Sequence, residues 1–372
     1  MPTEQCRTME QRSGGMTVHI GLINAYSTLN LGDAAIYSAL RKLLPAAQIT
    51  ASVRDERPEP IAGIQFQNRR PSGCDGYVSV GGDIFNNARE WFITKNFLLN
   101  LAELTRHSRQ TVLFGQSIPR SCHGLSFLAL RQCFLNLAAV CVRDAQSHRR
   151  LRQAGVDVRL SFDTAFVLEG SDAARQAAQS LCEAQGLDLA RSAVLSVRAF
   201  DSMYLHDTAS FVERMAGLCR HVVSAGLTPV VLIQSRAYGA DHDLDVARAL
   251  VSRVPGTAIV DPFLDASPIP SWQLAMAVFE RARHIIAVRY HTAVLALAAG
   301  RVPFHLHYSN KGRDLCERLE LPGCDLGGFD PVATGEAILA SRPVPFDDQA
   351  IRSQVRRDFS WCMDRLGLEG MN

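Results

Sequence analysis

No apolar run in this 372-residue sequence reaches the roughly 18–20 residues that a membrane-crossing helix needs. The nearest candidate, 127–142, is short and interrupted by Arg131, which favours a helix followed by a strand. The ten cysteines include no CxxC pair, which excludes a zinc ribbon or a thioredoxin-like redox motif. They are scattered through a long chain with no signal peptide at its start, and so are expected to be reduced thiols of a cytoplasmic protein. The formal net charge is only +2, and no long basic run is interleaved with aromatics, so nucleic acid is not an expected partner. GxGxxG, P-loop and GxSxG signatures are absent, as are repeats of 20–50 residues. Dinucleotide binding and a nucleophile elbow are therefore not expected.

What is present is an ordinary globular balance, 47% hydrophobic and 20% charged, in a chain long enough for two domains. The segment 1–16 is polar and predicted to be a disordered tail, with Met16 an alternative start. Short apolar runs then alternate with helical segments, the pattern of a parallel sheet covered by helices. Strands are predicted at 17–23, 77–80, 111–115, 140–143 and 158–162, with a helix at 33–44. An Ala-, Gln- and Ser-rich stretch at 170–191 reads as a helical linker, after which the pattern restarts. The second series has strands at 193–197, 229–234, 258–261, 284–288 and 302–306, and helices at 210–225, 243–251 and 274–283. The expected organisation is an N-terminal domain over 17–175, a C-terminal domain over 176–346, and a final helix within 347–372 returning to the first domain. Two open α/β sheets facing each other place a ligand in the cleft at the carboxyl ends of their strands.

Several loops fall there. Asn30, Gly32 and Asp33 follow the first strand and open a helix. Asp33 reads either as an N-cap or as a group that grips or deprotonates an acceptor hydroxyl. Gly81 and Gly82 follow the next buried strand, where paired glycines allow close approach of a ligand or simply a tight turn. Gln116 lies in a third such loop, and Arg143 and Asp144 read as structural, pairing or capping at a strand end. Asp163 closes the first domain, and Arg198 ends the first strand of the second. Arg289 and His291 sit two residues apart at a strand-to-helix turn, with Tyr308 and Lys311 after the following strand. Arginine matches a carboxylate or phosphate with its planar fork, histidine exchanges a proton near neutral pH, and a helix N-terminus favours an anion. Together they describe a site for a compact polyanion. Asp241 and Asp243, flanking His242, read as helix-start caps; His305 and His307 share a strand face but read as core or rim residues, so no metal is expected.

Taken in order, these loops resemble the polysaccharide pyruvyltransferase family. The matching pieces are Asn30-Leu-Gly-Asp-Ala-Ala-Ile36, Gly81-Gly82, Gly115-Gln116-Ser117, Val142-Arg-Asp-Ala-Gln-Ser147, Asp163-Thr-Ala-Phe166, and Arg289-Tyr-His-Thr-Ala293 through Gly300, Pro303, Tyr308 and Lys311. The resemblance implies two Rossmann-like domains facing a cleft in a glycosyltransferase-B-like fold, phosphoenolpyruvate as donor, no cofactor, and a sugar or lipid-linked glycan as acceptor. Membrane contact would be at most peripheral, and self-association is left open. On this reading Arg198, Arg289 and Lys311, with Tyr308, hold the donor; His291 either protonates the methylene carbon or contacts the phosphate, and Asp33 or Asp163 takes the hydroxyl proton. Asn30, Gly32, Gly81, Gly82 and Gln116 belong to the acceptor side. Two departures from the family pattern fall there: Asp83 stands where a third glycine is common, and Ile118-Pro119 follows the later glycine. A nucleotide-sugar glycosyltransferase of the same fold and a noncatalytic glycan-binding protein are the alternatives.

Overall fold

The computed structural model describes residues 17–87, 92–200, 207–237, 242–264, 267–341 and 344–368; the expected tail and Asp241 lie outside them. The first half contains strands β1 (His19–Ile23), β2 (Gln48–Ala51), β3 (Ile64–Phe66), β4 (Gly76–Ser79), β5 (Thr111–Gln116), β6 (Ala139–Val142) and β7 (Arg159–Leu160). Helices α1 (Leu31–Leu43), α2 (Lys95–Arg106), α3 (Gly124–Phe134) and α4 (Ala145–Gln153) connect them. The strands form one parallel sheet in the order β3-β2-β1-β4-β5-β6-β7. Its central strands read GYVS, TVLFGQ and AVCV and are buried throughout, as expected of a sheet covered on both faces.

The second half repeats the scheme with α5 (Asp172–Glu183), β8 (Ser192–Leu195), α6 (Thr208–Ser224), β9 (Thr228–Leu232), α7 (Leu244–Arg253), β10 (Ala258–Val260), α8 (Ser271–Arg281), β11 (His284–Ala287), α9 (Tyr290–Ala298), β12 (Phe304–His307), α10 (Asn310–Leu319) and β13 (Gly323–Asp325). Its parallel sheet runs β10-β9-β8-β11-β12-β13. In each sheet the chain works outward from its first strand and then reverses, so a switch point lies between β1 and β4 and another between β8 and β11.

Two expectations change. The stretch at 170–191 is not a linker: α5 buries Ala174, Ala178 and Cys182 and packs on α8, with Arg175 Nε 2.7 Å from Glu280 and Ser171 Oγ donating to Gln273 at 2.9 Å. The short strands β2, β3 and β13, and helix α11 (Pro331–Ala340), were not expected at all. The last helix, α12 (Gln349–Arg365), lies against β5 and β6, where Phe359 meets Phe114 edge-to-face at 5.2 Å.

The two sheets are clasped. Leu31 N donates to Gln234 O at 2.9 Å and Arg236 N to Leu29 O at 2.7 Å, joining the loop after β1 to the loop after β9. Trp272 Nε1 donates to Ser38 at 2.9 Å, and Arg318 donates to the carbonyls of Arg143 and Ser161. One buried apolar cluster runs from β1 and α1 into β8, α8 and α9, while a smaller one lies under α2 and α3. The halves therefore share a core, which restrains motion between them.

Phe359→Ala should lower stability by about 3–5 kcal/mol, the usual cost of emptying a buried aromatic site. Urea unfolding checks this; a loss below about 1 kcal/mol would mean that α12 contributes little to the first sheet.

Candidate active site

A cavity of about 640 Å³ opens between the two switch points, bounded by loops that follow β1, β4, β8, β11 and β12. From the second sheet come Arg198, Arg289, His291, Tyr308 and Lys311; from the first come Asn30, Asp33, Gly81 and Gly82. Nine of the twelve residues singled out in the sequence thus line one cavity. Gly32, Gln116 and Asp163 do not.

Arg289 holds the N-cap position of α9, so the first turn of that helix, with Tyr290 and His291, faces the cavity. The arginine fork is not fully open to a ligand. Its Nε and Nη2 contact Oδ1 of the buried Asp243 at 3.1 and 2.5 Å, and Nε also donates to Val197 O. Asp243 was expected to cap α7; its side chain makes no capping bond there and instead accepts the amides of Gln234 and Ser235 at 3.0 Å each. Arg198 Nη1 lies 2.5 Å from the Tyr308 hydroxyl. Burial would raise the Tyr308 phenol, but Arg198, Lys311 and Arg289 outweigh it and bring the group below its ordinary value.

Behind His291 lies a buried charge relay. Asp163 Oδ2 is 2.5 Å from Arg143 Nη1 and 3.3 Å from His291 Nε2, a close electrostatic contact. Asp163 Oδ1 accepts the Ala165 amide at 2.9 Å, and Arg143 Nε donates to Ser117 at 2.9 Å. Burial alone would raise the Asp163 carboxyl; His291, Arg143 and the Ala165 amide together hold it well below the usual carboxylate range. Burial is also the largest influence on His291 and lowers its imidazole, opposed by Asp163 and reinforced by Arg143 and Lys311. Gly32 completes the setting, because a Cβ there would collide with the His291 ring. The expected structural role of Arg143 and Asp144 holds: Arg143 pairs with Asp163, and Asp144 caps α4 through the Ser147 amide. Arg143 also lines the cavity, with its guanidinium 4.6 Å over the Tyr290 ring.

On the first-sheet side, Asn30 is the N-cap of α1, its side chain accepting Gly32 N at 2.9 Å, and Asp33 lies in the first turn. Gly81 is required by packing, since a Cβ there would come within 2.8 Å of Gly115 O. Gln116 is fully buried and donates to Val80 O, fastening β5 to β4. Asp83, one of the two departures, reaches across the cleft to Lys311, Oδ2 to Nζ 3.1 Å. Cavity residues that sequence reasoning missed include Arg54 and Arg70, and Asn24, Asn96, Asn100 and Glu103. The last three share one face of α2, a polar stripe that periodicity reads as solvated. His305 is a core residue whose Nδ1 lies 2.7 Å from Ala287 O, and burial pushes its imidazole down to about 4. Among the described residues no group of three His, Cys, Asp or Glu is placed to hold a metal, and no helix is long and apolar enough to cross a membrane.

A family profile described as polysaccharide pyruvyl transferase matches residues 30–310. The chain belongs to that family. It is accordingly a transferase with a glycan acceptor. No curated protein matches it in sequence. Among solved structures it is similar to the UDP-GlcNAc 2-epimerase of Methanocaldococcus jannaschii at 9% identity and a TM-score of 0.55, over 92% of this chain and 99% of that one. The same epimerase in complex with UDP-GlcNAc and UDP gives 9% and 0.54, over 93% and 100%. Likeness at this identity shows the fold, two Rossmann-like halves in a glycosyltransferase-B-like arrangement.

In this pyruvyl transferase family member the buried relay sets an acid limit on stability. A His291 imidazole lowered in the folded state stabilises fully above the ordinary value of about 6.5 and loses that contribution as pH falls below it. A depressed Asp163 carboxyl stabilises fully above about 3.9 and loses it as pH falls further. Urea midpoints should therefore decline from about pH 6 downward. Asp163→Asn should cost about 3–5 kcal/mol at neutral pH by leaving Arg143 uncompensated, and should flatten the decline below about pH 4. A variant whose acid limb runs parallel to the parent would contradict the relay.

Proposed function

We propose that the protein transfers the pyruvyl group of phosphoenolpyruvate onto two hydroxyls of a sugar or glycan, forming a ketal and releasing phosphate. The observation that carries this reading is that Arg198, Arg289, Lys311 and Tyr308 line one part of the cavity, Arg198 Nη1 2.5 Å from the Tyr308 hydroxyl, beside His291 at the N-terminus of α9. Such a site suits a small ligand carrying both a carboxylate and a phosphate. Because the Nε–Nη2 edge of Arg289 is committed to Asp243, Arg198 and Lys311 carry more of the donor recognition than the sequence implied. Lys311 must exchange part of its contact with Asp83 for the donor.

In the reaction His291 delivers a proton to the methylene carbon, generating an oxocarbenium-like centre next to the carboxylate. A sugar hydroxyl attacks that carbon and gives its proton to a carboxylate of the first-sheet wall, where Asp33 and Glu103 line the cavity. Asp163 lies behind His291 instead, and its role is to orient and charge-stabilise the imidazole. Phosphate then leaves, a second hydroxyl attacks, and the ketal closes. Of the two hydroxyl protons released, one balances the new methyl group and the other leaves with phosphate.

A donor carrying an ionised carboxylate and phosphate next to an imidazole held low by burial should raise it, so binding takes up protons. Calorimetry of phosphoenolpyruvate in buffers of different ionisation enthalpy, between about pH 6.5 and 8, should show uptake, and affinity should rise as pH falls through that range. His291→Gln should abolish the uptake and cut phosphate release by roughly 10²–10⁴-fold while weakening the donor much less. Saturation-transfer NMR with phosphoenolpyruvate and with UDP-hexoses separates this reading from nucleotide-sugar transfer. Transfer to the UDP-hexoses alone would overturn it.

A further inference from the structure

Helix α2 carries two faces of different character. Phe97 and Leu104 are buried beneath it, whereas Asn96, Leu99, Asn100 and Glu103, spaced i, i+3, i+4 and i+7, line the cavity. The polar face is not merely solvated. The Glu103 side chain is only 15% exposed, and its Oε2 accepts from Asn24 Nδ2 at 3.2 Å. Asn24 is itself held in place: it adopts the left-handed region at φ 56°, is buried, accepts Ser79 Oγ at 2.8 Å and donates to Asn100 O at 3.1 Å. Three side-chain hydrogen bonds thus hold a non-glycine residue in the left-handed region, fixing the Asn24 amide against Glu103.

We infer that the Asn96–Asn100–Glu103 face of α2, with Asn24, is the subsite for the acceptor hexopyranose, and that Glu103 is the base that removes the proton of its attacking hydroxyl. This rests on the pyruvyl-transfer reading above. Amide side chains at one-turn spacing can bond sugar hydroxyls, Asn100 through its oxygen since its Nδ2 donates to Ile84 O at 2.9 Å, and the carboxylate at the next turn can take a proton from one. The charged groups facing Glu103 are Arg70, whose Nε lies 3.8 Å from Oε1, and Arg54 from the loop after β2. Burial outweighs both and raises the Glu103 carboxyl above its ordinary value, toward the range where a base works near neutral pH. Asp33 and Asp83 are the other carboxylates of this wall: Asp33 lies in the first turn of α1, where helix amides favour its negative charge, and Asp83 is paired with Lys311, Oδ2 to Nζ 3.1 Å. Asp163 is spent on Arg143 and His291. Glu103 is therefore the carboxylate best placed to accept a proton.

The test uses the full chain with phosphoenolpyruvate and p-nitrophenyl hexopyranosides bearing free 4- and 6-hydroxyls, following phosphate release from about pH 5 to 9. Glu103→Gln should lower kcat by roughly 10²–10⁴-fold and erase the acidic limb of kcat/KM, with phosphoenolpyruvate affinity changed less than about twofold. Glu103→Asp should recover part of the rate and keep the limb. Asn96→Ala, an exposed substitution that does not threaten folding, should raise KM for the sugar about 3- to 10-fold and leave donor affinity alone. An intact acidic limb in Glu103→Gln, or its loss in Asp33→Asn instead, would overturn the assignment of the base; an unchanged sugar KM in Asn96→Ala would overturn the subsite. A parent protein that fails to bind phosphoenolpyruvate would sink the donor reading itself, a result separable from failure of either variant.

Discussion

The rest of the site depends on one buried carboxylate. Asp163 lies at the carboxyl end of the first sheet, yet it faces His291 on α9 of the second, with Arg143 on its other side. Its charge cannot be solvated there, so the partners must stay in place, and with them the registration of the two halves. Such a pair adds little net stability over an apolar replacement, but removing one member leaves an uncompensated charge at high cost. The contribution of the relay is geometric. It holds the imidazole between Asp163, which faces Nε2, and Gly32, where no side chain fits beside Nδ1, at the border of the cavity. A second buried pair, Arg289 with Asp243, does the same for the neighbouring arginine.

The same arrangement explains how a chain of net charge +2 can carry a strongly cationic site. Each of Arg143, Arg289 and Lys311 has a carboxylate partner, namely Asp163, Asp243 and Asp83. The first two carboxylates sit behind their cations, away from the cavity, and so orient charge toward it. Asp83 differs: it lines the cavity and meets Lys311 from the opposite wall. An incoming anion competes with it directly.

The alternation of apolar runs and helices was legible in the sequence, because buried parallel strands such as TVLFGQ and AVCV stand out from their surroundings. Strands β3 and β13, reading IQF and GCD, were not, since three residues at a sheet edge carry almost no apolar signal. Helix α11 had a legible start, an Asp330 cap followed by proline, that went unused. Within the site, the ordered loops fall at strand ends that border one cavity. What they did not distinguish was the residue facing the ligand from the residue supporting it. Gln116 and Asp163 occupy motif positions but are buried supports, and Gly81 answers a backbone contact. Glu103 escaped notice for the opposite reason: a polar helical face bordering a cavity has the same periodicity as one bordering water.

The most direct test of the central claim follows the carbon that the proposed reaction transfers. Phosphoenolpyruvate labelled with ¹³C at its second carbon is incubated with the protein and p-nitrophenyl hexopyranosides, and the label is traced by NMR. The account predicts that it moves into a quaternary ketal carbon bonded to a methyl group and two sugar oxygens, with one phosphate released for each ketal formed. Label confined to unreacted donor or free pyruvate, while a nucleotide sugar in the same mixture is consumed, would contradict it.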